Sequence, residues 1–200
     1  MIEDERLEQI ISSKNYSEYI PELLEGIQDM NWPNASRIVD FLKPRAREVY
    51  PFVKNVLSTN DEMWIYWVLS ELVRSWPNEI VKFLEEDLIV LAENLDIFVE
   101  TDLLSIEILL NNNLINHQFT RKLLENKEAY IKGEIGNFQP ELIDEFIELE
   151  NIRIEILLTD VSQIVDYVKK NSKKLHIKDK YEALHRFLKS VQDILIKLDK

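Results

Sequence analysis

The chain contains no cysteine, which excludes disulfides, thiolate-ligated metals and a thiol nucleophile. Only three of its 200 residues are glycine. Hairpin-rich β structure needs glycine in its tight turns, and a phosphate-cradling loop needs it for close backbone approach, so both are disfavoured. No Gly-x-Ser-x-Gly elbow is present. No stretch approaches the ~20 consecutive apolar residues of a membrane span. The longest candidate, around Leu103–Leu110, is interrupted by Ser105 and Glu107. The opening residues Met1–Arg6 are acidic and no apolar signal region follows them, so a cytoplasmic location is expected.

Basic charge is also scarce. Twenty-four Lys and Arg stand against 37 Asp and Glu, a formal net charge of −13. Such a field repels phosphate backbones and anionic lipid surfaces, so neither nucleic acid nor membrane is an expected partner. It favours a basic protein partner, or serves solubility alone. Three histidines, His117, His176 and His185, are too far apart for a helical metal pair, and no metal or cofactor is expected. Adjacent carboxylates such as Glu85-Glu86-Asp87 are too common here to single out a general acid.

What the chain does have is leucine, isoleucine, glutamate and lysine in long runs, with 46% hydrophobic residues, the composition of helices around a sizeable core. Within it lies an echo. Asp40-Phe41-Leu42, Glu71-Leu72-Val73 and Asp102-Leu103-Leu104 recur 31 residues apart. A period of about 30–45 residues marks a helical solenoid, whose units stack because none buries its apolar face alone. The expected fold is all-α: a HEAT-like superhelix of about three helix pairs over residues 1–115. Residues 116–200 are expected to form a helical cap packed on the repeats in one continuous domain.

Helices are expected over about 5–12, from Ser17 to Met30, from Pro33 to Lys43, around Tyr50–Leu57, over Glu62–Trp76, around Ile80–Leu91 and over Phe98–Leu110. In the remaining third they are expected over 116–131, 140–158, 161–170 and 178–198, with a glycine loop at 133–137. The lysines from Lys169 to Lys180 are read as a solvated loop. In the last helix Tyr181, Leu184, Leu188, Val191, Leu195 and Leu198 are spaced 3-4-3-4-3, a coiled-coil seam suited to capping the stack or pairing with another helix.

Stacked repeats would align Asp40, Glu71 and Asp102 in a row able to receive lysines or arginines of a partner. Lys43 and Arg74 follow the first two by three residues, so the same row can also be a self-neutralised surface. Trp32 in its turn, and Trp67 with Arg74 on the polar ridge of its helix, are candidate partner-binding residues. Trp64 and Trp76 are read as core.

The segment Pro21–Asn113 resembles an uncharacterised family of Gram-positive bacteria, a domain of unknown function. The residues that carry the resemblance are Pro21-Glu22-Leu23-Leu24, Gln28-Asp29-Met30-Asn31-Trp32-Pro33, Trp64, Tyr66-Trp67 and Ser70-Glu71-Leu72. The resemblance implies a HEAT-like helical fold and no activity.

Together these features make a non-catalytic protein-binding module the leading expectation, its acidic face docking a basic protein, with an immunity or antitoxin-like protein as one specific form. The rival class is an enzyme or nucleic-acid processor of HEAT-like fold, which would need a basic concave face and a carboxylate buried in a cleft.

Overall fold

A computed structural model describes residues 2–199, which are predominantly helical, with no strand among them. The helices are α1 (Asp4–Ser12), α2 (Ile20–Glu25), α3 (Ala35–Leu42), α4 (Ala46–Leu57), α5 (Glu62–Glu71), α6 (Asn78–Val81), α7 (Glu85–Glu93), α8 (Thr101–Asn111), α9 (His117–Gly136), α10 (Pro140–Thr159) and α11 (Ile164–Leu198). Short 3-10 turns lie between several of them, at 16–19, 43–45, 73–75, 82–84 and 161–163. The fold class is all-α, as the glycine scarcity and helical periodicity require. Two compact units divide the chain, Met1–Thr120 and Arg121–Lys200.

In the first unit the apolar stripes meet in a core that includes Leu7, Leu23, Ile38, Leu42, Val53, Leu69, Leu72 and Leu84. α5 begins where the Asp61 carboxylate accepts a hydrogen bond from the Trp64 N–H at 3.0 Å. α8 is the central helix: eight of its eleven residues are buried. It packs against both α5 and α7. Its start is built around Asp96, whose carboxylate accepts from the backbone N–H groups of Phe98, Val99 and Thr101 at 3.0–3.2 Å and from the Thr101 hydroxyl at 2.8 Å. Glu100 then adopts a left-handed conformation, φ 65°, to turn the chain into the helix.

Polar contacts between the helices of this unit recur at separations of 29–34 residues. Arg37 reaches Asp4 and Glu8, and Asn34 donates to the Ile2 carbonyl. Tyr16 donates to Glu48, Lys54 to the Phe83 carbonyl, and Asn78 to the Asn112 carbonyl. Lys54 also pairs with Asp87 at 3.3 Å.

The second unit is a long antiparallel helical arrangement. Along α11, Asp199, Gln192 and Lys180 meet Arg121, Glu128 and Glu134 of α9. Lys178, Lys174 and Tyr167 then meet Glu150, Glu145 and the Leu149 carbonyl of α10. α9 and α10 thus succeed one another along a single 35-residue helix. The joint between them is filled by aromatic rings: Phe138 and Phe146 lie 5.0 and 5.6 Å from the Tyr181 ring.

Three sequence expectations change here. Lys169–Lys180 is not a loop but part of α11, because Ile164–Leu198 contains no glycine or proline and is rich in helix formers. Gly133 lies inside α9 and Gly136 ends it, so the expected glycine loop shrinks to the joint before Pro140. The seam of the last helix is shifted. Leu184 and Val191 are buried as expected, but the buried stripe continues through Phe187 and Ile194, leaving Tyr181, Leu188, Leu195 and Leu198 half-exposed. Smaller differences lie at the helix ends: α2 stops at Glu25 and α5 at Glu71.

Candidate interaction surface

Charge follows the unit boundary. Residues 1–120 carry 22 carboxylates against 9 Lys and Arg, a net −13, and residues 121–200 carry 15 of each, a net zero. The whole formal charge of the chain therefore belongs to the first unit.

On that unit Asp40 is exposed at the end of α3. It lines an open groove of about 610 Å³ together with Lys43, Pro44, Arg47, Pro77 and Glu79, over an apolar floor that includes Ala46 and Ile80. Among the described residues neither Asp40 nor Lys43 takes part in an ion pair, so the i, i+3 neutralisation open to them is not made. Two residue pairs that start new elements, Lys43-Pro44 and Trp76-Pro77, bring the prolines to this groove. Both prolines are visible in the sequence, but only the fold shows that they share a surface.

Glu71 is half-buried, and its Oε1 accepts a hydrogen bond from the Ser70 hydroxyl at 3.2 Å. Arg74, three residues on, is exposed and pairs with Glu107 of α8 at 3.7 Å. It thus ties the turn after α5 to α8. Asp102 does not lie on the surface that the 31-residue echo was expected to present: it is fully buried. The reason is local. α8 is apolar on most sides and central, so its first turn goes into the core and takes Asp102 with it. A carboxylate in the first turn is favoured there by the helix dipole. Of the expected row, Asp40 is presented fully, Glu71 in part and Asp102 not at all.

The start of α8 gathers further acids. Partial desolvation, and then the charge of Asp96, push the carboxyl of Glu62, at the exposed start of α5, above the usual carboxylate range. Among the described residues no group of three or more His, Asp or Glu side chains is placed to hold a metal ion.

Trp32 is half-buried in the turn before α3. Trp67 is half-buried on α5, edge-on to Tyr66 with ring centroids 5.0 Å apart. Its indole N–H is shielded from solvent with no hydrogen-bond partner among the described residues. Trp76 is core, as expected, at 5% exposure. Trp64 is only half-buried, and its indole donates to the Leu24 carbonyl at 2.9 Å, tying α5 to α2.

Arg6 and Glu22 form a two-point pair, at 2.9 and 2.6 Å, on another side of the unit. The guanidinium holds the Glu22 carboxyl below its ordinary range.

No helix among the described residues is long and apolar enough to cross a membrane. No curated protein and no solved structure matches the chain significantly, so no enzyme family or fold is indicated. Residues 1–108 match the family model described as a domain of unknown function, DUF5071, a wider reach toward the N-terminus than the motifs from Pro21 onward had marked. The match covers more than half of the chain and nearly all of its acidic unit, and the protein belongs to the DUF5071 family.

Proposed function

We propose that the first unit is a non-catalytic protein-binding module whose acidic surface docks a basic protein partner. The observation that carries this reading is the charge partition: a net −13 on residues 1–120 beside a neutral second unit. A solubility role alone gives no reason for the charge to be confined to one unit. Confinement is what electrostatic steering of a basic partner requires. The groove beside Asp40 offers an apolar floor with a charged rim, the composition of a contact site. Trp32 and the partly exposed face of Trp67 are the anchor candidates, and Asp40 and Glu71 the steering ones.

The helical-repeat reading belongs with this proposal. Its support is the 31-residue echo and the contacts at 29–34 residues, together with α2 packing on α4, α4 on the turn before α7, and α5 on α8. Such a stack presents equivalent helices side by side, as a HEAT-like protein does. A protein that neutralises a basic toxin in the cytoplasm is the specific form that fits the size, acidity and cysteine-free composition.

Affinity capture from the native host, with identification by mass spectrometry, tests the mechanism. The wild-type chain retains a basic protein at low salt, and Asp40→Lys with Glu71→Lys releases it without loss of helicity. Equal capture by the double variant sinks the acidic-surface mechanism. Asp102 is left out of the variant because its substitution would act through stability.

A further inference from the structure

Trp64 reads as core in the sequence, yet it is only half-buried and lines a groove of about 500 Å³ at the start of α5. Met63, 45% exposed, and Val99 add apolar surface, while Asp61 and Glu62 supply charge. The rest of the lining is polar and uncharged. Trp64 is held at two points. Its backbone N–H donates to Asp61 Oδ1 at 3.0 Å, and its indole N–H donates to the Leu24 carbonyl at 2.9 Å. The single donor of the side chain is thus spent inside the fold, and the ring itself is what remains for a ligand.

Both carboxylates serve the first turn of α5, Asp61 as its cap and Glu62 beside it. That role uses one oxygen of Asp61. The other oxygen, and the Glu62 carboxylate, take no hydrogen bond or ion pair among the described residues. Asp96, buried at the start of α8, adds a third negative charge close enough to act on Glu62. Other grooves of the unit carry their own cations. Lys43 and Arg47 share the groove beside Asp40, and Arg6 lies in the one beside Glu22, already paired with it. Of these three, the groove at Trp64 is the one where acid and aromatic surface meet without a cation.

We infer that this groove takes an arginine side chain of the basic partner, which rests on the reading of the first unit as a protein-docking surface. Charge complementarity sets the sign of the occupant, and the indole sets its shape. A guanidinium is planar and weakly hydrated, so it stacks on an indole face while its edge donors meet carboxylates. A lysine ammonium is more strongly hydrated and loses more on leaving water. The aliphatic stem of the arginine covers Met63 and Val99. Trp64 is the anchor of this contact, and Glu62 its charged partner.

Amide NMR titration of the full chain with the capped peptide acetyl-Gly-Arg-Gly-amide tests the site without the partner. The expected shifts gather at Glu62, Met63, Val99 and the Trp64 indole N–H. The matching lysine peptide binds about threefold or more weakly, and the uncharged citrulline peptide gives no saturable shift. Glu62→Gln, at an exposed position, keeps the far-UV ellipticity and weakens the arginine peptide about threefold or more. No saturable shift in the wild type overturns the inference, as do shifts confined to the groove beside Asp40. Equal binding of the arginine and lysine peptides, or of the arginine and citrulline peptides, overturns it too.

Capture from the host separates this inference from the reading beneath it. A wild-type chain that retains no basic protein removes the docking reading, and the arginine groove with it. A basic protein retained equally by the wild type and by Glu62→Lys leaves the docking reading standing and overturns the groove alone.

Discussion

Asp40 and Asp102 occupy equivalent places in the 31-residue echo and have opposite surroundings. Substituting them separates surface from core. Asp40→Lys should change stability within about 0.5 kcal/mol, whereas Asp102→Lys should cost more than about 3 kcal/mol by placing an uncompensated ammonium among buried leucines. Urea denaturation of both variants checks this, and equal midpoints would contradict the burial. Lys178 is the corresponding residue of the second unit. It is buried, yet it pairs with Glu182 at 2.6 Å and Glu150 at 3.1 Å. Burial alone would lower its pKa, but those two carboxylates outweigh burial and raise it above the ordinary 10.5. Hydrogen bonding from Arg153, then from Lys178, holds Glu150 below its ordinary 4.5. The raised lysine contributes stability that is complete below 10.5 and fades as pH rises through its folded value. The depressed carboxylate contributes stability present above 4.5 and lost as pH falls through its folded value. Thermal unfolding against pH should therefore show a plateau with an acid limb and an alkaline limb. Lys178→Met should remove its part of the alkaline limb and shrink the acid limb to the part that Arg153 sustains. An alkaline limb unchanged in that variant would show that Lys178 is not its source.

At the level of elements, the glycines give a sharp contrast. Gly26 ends α2 where a Cβ would come 2.6 Å from Ile38 Cδ1 and 3.1 Å from the Leu23 carbonyl oxygen, so a side chain there displaces the core. Gly133 sits inside α9 with nothing within 4 Å of such a Cβ. Gly133→Ala should stabilise the chain by about 0.5–1 kcal/mol through helix propensity and unfolded-state entropy, and Gly26→Ala should destabilise it. Differential scanning calorimetry reads both signs, and a stabilising Gly26→Ala would refute the close packing at that turn. The same residues show what was legible in the sequence. Helix starts marked by chemistry, Asp61 before α5 and Pro140 at α10, stand where the sequence put them. Gly133 and Asn171-Ser172 look like breaks locally, but nothing in their surroundings enforces a turn, and the helices run through them. The echo located Asp102 but not its burial, because a period fixes the place of a residue in a helix and not how many neighbours that helix has. The apolar residues around it, Leu103, Leu104, Ile106 and Ile108, carried that information.

At the scale of the whole molecule, one unit holds all the net charge and the other holds none. The first therefore suits long-range steering of a basic partner. Steering has a measurable signature, because screening weakens it. The decisive measurement is the affinity of the full chain for its captured partner at low and at physiological ionic strength, for wild type and for Asp40→Lys with Glu71→Lys. The acidic-surface mechanism predicts an affinity that falls with salt in the wild type, and a weaker, less salt-dependent affinity in the variant. An affinity indifferent to both salt and charge reversal would contradict it.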